Sequence, residues 1–203
     1  STWGCHGSCS AKYGNFGEIR IPDRPAALVE LGFHDSCSTD APKMDQPFFQ
    51  SVAMWGIYNG ICRYFGSTPT WSLYASQYVS DTIPASMNAN EVRSVSVTFR
   101  NKSVLWDDAH GFKLGAAGDS DPFAGTRHGL GSATVGINGT FTFTFNMVAP
   151  SAPGVYTTDW RMLREGFTWF GETLTKQVQV LAVGADTEPP STPGNLEAEG
   201  ADY

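Results

Sequence analysis

Four cysteines, one carboxylate inside an apolar run and a set of aromatic side chains are the residues of this sequence that could do chemistry. Cys5, Cys9, Cys37 and Cys62 all fall in the first third of the 203-residue chain. An even count confined to one segment fits two disulfides formed in an oxidising compartment. The expected pairs are Cys37 with Cys62, which closes a loop worth about 3 kcal/mol of chain entropy, and Cys5 with Cys9. Zinc is the competing chemistry. Cys5-x3-Cys9 encloses His6, but no second close Cys/His pair follows downstream. Glu30 sits in the apolar run Ala26-Ala27-Leu28-Val29-Glu30-Leu31-Gly32-Phe33, where a carboxylate is costly to bury unless something pairs it. Arg20 and Arg24 are ion-pair partners of the ordinary kind for it. Trp71, Tyr74, Tyr78 and Trp169 offer ring faces that a carbohydrate could use.

The elements that must position these residues divide into three segments. In residues 1–66 the apolar run behind Pro25 reads as a strand buried on both faces. A helix follows, opening near Asp45-Gln46-Pro47. It carries Phe48, Val52, Trp55, Ile57, Ile61, Cys62 and Phe65 at amphipathic spacing, and Gly66 stops it. Residues 67–183 alternate short β runs with turn residues. Val95, Val97 and Phe99 share one face of Val92–Phe99, and Thr140–Phe145 alternates three Thr with three Phe. Gly154–Met162 and Lys176–Leu181 supply two more strands. Strands with one polar face at this spacing predict a mainly β chain, an antiparallel immunoglobulin-like sandwich preceded by a small α/β segment. Val95, Val97, Phe99, Trp106, Phe141, Phe143, Phe145, Tyr156, Trp160 and Val178 are expected in or beside one core. Residues 184–203 are polar and rich in Pro and Gly, a linker pattern.

Composition narrows the function classes. Charged residues make up 16%, with 22 Gly, 12 Pro and 13% aromatics, a balance suited to turn-rich β structure. The net charge of −7 and the absence of any Lys/Arg run argue against nucleic acid or an anionic membrane surface as partner. No stretch approaches the roughly 18 consecutive apolar residues of a membrane span. Ser1 begins without a signal segment, and a trimmed longer precursor is expected. Asn101-Lys102-Ser103 and Asn138-Gly139-Thr140 are potential glycosylation triplets.

Residues 67–183 resemble the four-tryptophan immunoglobulin-like domain of autophagy cargo receptors and their bacterial relatives. Val97-Thr98-Phe99-Arg100-Asn101-Lys102-Ser103-Val104-Leu105-Trp106, Gly111-Phe112-Lys113-Leu114-Gly115, Ala149–Tyr156, Trp160-Arg161-Met162 and Gly171 carry the likeness. Phe99 and Thr175 stand where that family has its first and last Trp. Pro25–Phe33, with the helix ending Gly60-Ile61-Cys62-Arg63-Tyr64-Phe65, resembles the last part of a zinc-dependent N-acetylmuramoyl-L-alanine amidase domain. That resemblance implies for Glu30 the carboxylate that activates a zinc-bound water. The family's zinc ligands lie upstream of anything present here, and neither His6 nor His34 can be assigned as one. This chain is therefore expected to hold no zinc and no other cofactor, and to be inert. Asp186–Leu196 resembles the linker and opening strand of a fibronectin type III module.

Together these resemblances imply part of a secreted, cell-envelope peptidoglycan amidase with an accessory immunoglobulin-like domain. The partner would be cell-wall peptidoglycan or another extracellular protein or glycan. The alternative is an extracellular structural or adhesion protein whose sandwich mediates assembly or binding.

Overall fold

The computed structural model describes residues 26–32 and 38–183. The chain divides into two compact units, Ser1–Ala53 and Met54–Tyr203. In the first, the segment Ala26–Gly32 is irregular, and Leu28, Val29 and Leu31 are exposed. This corrects the expectation of a doubly buried strand. Such a strand needs a hydrogen-bonded neighbour and a covering layer, and every strand of the described residues lies at or beyond Ser76. A short helix α1 (Asp40–Met44) follows.

Helix α2 (Pro47–Tyr64) begins and ends where the sequence places it. Pro47 takes the first helical position, where its missing N–H costs nothing. Gly66 reverses the chain at φ 67°. Its N–H donates to the Arg63 carbonyl while that of Ser67 reaches Cys62, the paired bonds of a Schellman stop. The expected amphipathic face is not buried, for none of the helix's side chains is fully covered. Apolar residues lie on several sides of it, so no single stripe concentrates burial.

Two sheets make the sandwich. β1 (Ser76–Asp81), β3 (Val92–Asn101) and β6 (Thr140–Val148) form one, in the order β1-β3-β6. The other holds β2 (Ser86–Asn88), β8 (Thr168–Leu181), β7 (Gly154–Arg164), β4 (Phe112–Ala116) and β5 (Arg127–Gly129), in the order β2-β8-β7-β4-β5. All pairings are antiparallel except β2 with β8. The fold is mainly β and immunoglobulin-like, with a small helical part before it. β3 and β6 pair without a break from Val92↔Val148 to Arg100↔Thr140, so Val95, Val97 and Phe99 meet Phe145, Phe143 and Phe141.

The core follows this register. Of the expected core residues, all but Phe141 and Tyr156 are buried; those two are half-buried at the margins. Trp106 and Trp160 are fully buried. Their indole N–H groups donate to Ser103 Oγ at 3.2 Å and Thr158 Oγ1 at 2.8 Å, so neither ring buries an unpaired donor. Asn101, fully buried, donates to the Val104 and Val135 carbonyls and accepts from the Ser103 N–H. It fastens the end of β3 to the loop carrying Trp106. The first glycosylation triplet is therefore a structural device, whereas Asn138 is exposed.

A second polar tie joins the sheets at β1 and β8. The Tyr78 hydroxyl donates to Asp81 at 2.5 Å, and Lys176 lies 3.2 Å from the same carboxylate. Bonding to Asp81, with desolvation added, pushes the Tyr78 phenol up to about 12. Beside it β8 is bulged at Gly171, whose φ of 73° brings its backbone against Ser76. A Cβ there would fall 1.8 Å from the Ser76 hydroxyl, so only glycine fits.

His128 of β5 reaches between the sheets. It stacks on Phe145 with centroids 4.0 Å apart and lies 5.2 Å from Trp160. Its Nε2 is buried without a partner. Desolvation holds the imidazole below its ordinary range, against weaker support from the Gly125 backbone and Asp121. Asp121 accepts from Thr158, Phe123 and Ala124, yet burial raises its carboxyl.

Two outcomes follow. Phe143→Ala should cost about 3–5 kcal/mol in denaturant unfolding, while Thr142→Ala, whose hydroxyl only meets Thr98 at the surface, should cost under about 1. Equal losses would show the faces of β6 reversed. Because His128 is neutral more readily when folded, the unfolded chain takes up its proton first. Stability should therefore fall as pH drops from about 7 to about 5. Asp121, with its raised carboxyl, acts with the opposite sign. Melting curves of His128→Phe should lack that slope; an identical slope would place the proton elsewhere.

Candidate functional site

Glu30 is exposed in the irregular segment 26–32. Cys62, expected to pair with Cys37, is a free thiol on α2, half-exposed. Cys5, Cys9, Cys37, His6, His34, Arg20 and Arg24 lie outside the described residues, as do residues 184–203. Among the described residues no three His, Cys, Asp or Glu side chains gather to hold a metal ion. They thus offer no donor set for zinc beside Glu30. No helix among them is long and apolar enough to cross a membrane.

Three of the four aromatic platforms are spoken for. Trp71 packs against Tyr58 at 5.6 Å, and its carbonyl accepts from the Trp55 indole. Tyr74 lies 5.7 Å from Phe170, and its hydroxyl accepts from Arg164 at 2.6 Å. Tyr78 is bound to Asp81. Trp169 is different. It stands on the outer face of the five-stranded sheet, across from Leu163, while its neighbour Phe170 turns inward and is buried.

The sheet is built to receive that indole. Gly115 of β4 lies beneath it, and a Cβ there would come within 2.7 Å of the Trp169 ring and 2.6 Å of Leu163. Without a side chain at 115, the ring can lie down on the strand. Arg127, paired with Gly115 across β4 and β5, sets its guanidinium 4.9 Å from the ring centroid. The guanidinium donates to Asp119 and, at 3.2 Å, to Glu165. Lys113 stands 4.0 Å from the same Glu165 carboxylate. Asp119 is held at φ 60° beside Gly118 at φ 75°, a tight turn that delivers its carboxylate to Arg127.

The β7–β8 hairpin closes one end. Glu165-Gly166-Phe167 is a three-residue loop with Gly166 at φ 73°, and the Phe167 N–H donates to the Arg164 carbonyl. Phe167 is 69% exposed, covered on one face by the Arg164 guanidinium 4.0 Å away. Arg164 is itself fixed by bonds to the His110 carbonyl and Tyr74 hydroxyl. Asp119, Arg127, Glu165, Phe167, Thr168 and Trp169 thereby frame an open cavity of about 270 Å³. It combines the half-buried Trp169 indole, seated on Gly115 and covered by the Arg127 guanidinium, with the exposed Phe167 ring and the Asp119 and Glu165 carboxylates. Its lining brings the Asp119 and Glu165 carboxylates, the Arg127 guanidinium and the Thr168 hydroxyl together beside the Trp169 ring. Trp169 is visible in the sequence as one of four aromatics that a carbohydrate could use. Arg127 and Asp119 carry no sequence signal, because only the β4–β5 pairing brings them to it.

No family model matches this chain, and no curated protein matches it. Among solved structures, it is similar to the CARDB domain of a Pyrococcus furiosus protein in solution, at 16% identity and a TM-score of 0.38. That match covers 53% of this chain and 97% of the other. A crystal structure of the same domain in complex with di-metal ions gives 18% identity, 57% and 95% coverage and a TM-score of 0.39. A family 123 glycoside hydrolase from Clostridium perfringens gives 12% identity, 49% and 23% coverage and a TM-score of 0.28.

Proposed function

We propose that this chain is the accessory, non-catalytic part of a secreted cell-wall amidase-like protein, and that its sandwich binds a glycan of the cell envelope in the Trp169 groove. The observation that carries this reading is the indole laid across Gly115 within a frame of Arg127, Asp119 and Glu165. A pyranose ring has an apolar C–H face and an equatorial belt of hydroxyls. The face packs on the aromatic wall of the groove, where Phe167 is exposed beside Trp169, and the hydroxyls exchange bonds with the carboxylates and guanidinium groups around it. Cations and carboxylates alternate around the groove, so neither sign of ligand charge is favoured and an uncharged saccharide is accommodated best. At about 270 Å³ the cavity falls just below the usual range for small-molecule pockets and is open to solvent, as suits a groove that holds part of a longer saccharide chain.

Glu30, exposed on an irregular segment, gives the amidase role no support within this chain; peptidoglycan is the binding partner of this proposal and not its substrate. Co-sedimentation with insoluble peptidoglycan tests it. The chain should pellet with the cell-wall material and release no peptide from it. Trp169→Ala should weaken binding about tenfold or more, and Arg127→Ala by a smaller factor. A wild-type chain left in the supernatant, or a Trp169→Ala variant that binds as well as wild type, would sink the proposal.

A further inference from the structure

Among the described residues each sheet of the sandwich ends in two edges, and three of the four are guarded. β2 and β5 are only three residues long, and β5 carries Arg127 and His128. β1 is bulged between Tyr78 and Ser80, and its outward N–H at Tyr78 is taken by Glu172 at 2.7 Å. Short length, bulges and charges are the ordinary means by which an edge refuses another strand. β6 has none of them. It runs nine residues as Thr-Phe-Thr-Phe-Thr-Phe-Asn-Met-Val, without charge, proline or bulge.

The register shows which backbone groups face outward. At one end of the β3–β6 ladder the Asn101 N–H donates to Gly139; at the other the Ala149 N–H donates to Glu91. Odd-numbered residues of β6 therefore bond to β3, and even-numbered residues turn their N–H and C=O to the open side. The Val148 N–H confirms the parity, since it reaches away from β3 to the Phe123 carbonyl. Thr140, Thr142, Thr144 and Asn146 remain as a row of outward amides with exposed side chains.

We infer that this edge pairs with the same edge of a second copy, antiparallel about a twofold axis, joining the two three-stranded sheets into one. Three features select a second copy over a foreign strand. The exposed side chains repeat one small residue, Thr, which offers little side-chain variety for choosing a particular peptide sequence. The strip is neutral, so two chains of net charge −7 can meet there without facing like charges. The pattern is also self-complementary. Setting Thr142 opposite Thr144 places Thr140 opposite Asn146 and the half-buried Phe141 beside the second copy's Phe145, and cross-strand Thr pairs are favourable. The Trp169 groove lies on the other sheet, so this association is independent of glycan binding.

Sedimentation velocity of the full chain over a range of concentrations, with deuterium exchange read at Thr142 and Thr144, tests the inference. Wild type should pass from monomer to dimer as concentration rises, and the two amides should gain protection in step. Thr144→Lys should raise the dimer dissociation constant about tenfold or more while leaving the melting temperature nearly unchanged. Thr142→Pro removes an outward N–H without touching the β3 ladder, and should do the same even if the lysine variant fails to fold. A chain that stays monomeric up to its solubility limit would overturn the inference. So would a dimer indifferent to both substitutions, or one that leaves the Thr142 and Thr144 amides unprotected.

Discussion

The pairing of β3 with β6 is the constraint on which the rest of the sandwich depends. Side chains alternate along a strand, so one register assigns every residue of both strands to a face. Here it sends Val95, Val97, Phe99, Phe143, Phe145 and Met147 inward as a block. The opposite sheet meets that block with Trp160, Met162, Phe112, Leu114, Phe170 and Val178. A slip of one residue would put threonines into this layer and phenylalanines into water. Asn101 guards the register at one end by binding the Ser103 N–H and Val104 carbonyl of the following loop and the Val135 carbonyl of the loop before β6. Its burial is tolerable because every polar atom is satisfied.

The strands most visible in the sequence are the ones with one wet face. Thr140–Phe145 and Val92–Phe99 announce themselves because polar and apolar residues alternate there. β4 does not, for Phe112, Leu114, Gly115 and Ala116 are all covered, and a strand buried on both faces loses its period. β2 and β5 are too short for any pattern to accumulate. The same ambiguity misled in the other direction at Ala26–Phe33. A continuous apolar run is compatible with a doubly buried strand, but composition says nothing about whether neighbouring strands exist to pair with it. Helix α2 was legible at its ends, where Pro47 and Gly66 act through backbone geometry alone. Its burial was not, because that depends on what packs against it.

The groove shows why function was harder to read than fold. Trp169 and Glu165 are close in sequence, but Arg127 and Asp119 arrive from a separate hairpin through the β4–β5 ladder. The residue that permits their meeting, Gly115, contributes by having no side chain. Such a site is written in register and absence, which spacing rules cannot detect.

The parallel pairing of β2 with β8 has a mechanical meaning. β2 stands near the start of the sandwich and β8 closes it, joined at Ser86↔Gln179, Met87↔Val180 and Asn88↔Leu181. Further bonds, from Gln179 to Ala85 and from Ala89 to Leu181, extend the ladder at both ends. Tension drawn through the two ends of the sandwich, once β1 has been drawn off β3, would pull these strands in opposite directions along their own axes. The bonds between them would then be strained together, in shear, and not unzipped one after another. A domain tethered between a surface and a moving load would gain from that arrangement a resistance to stretching out of proportion to the length of β2.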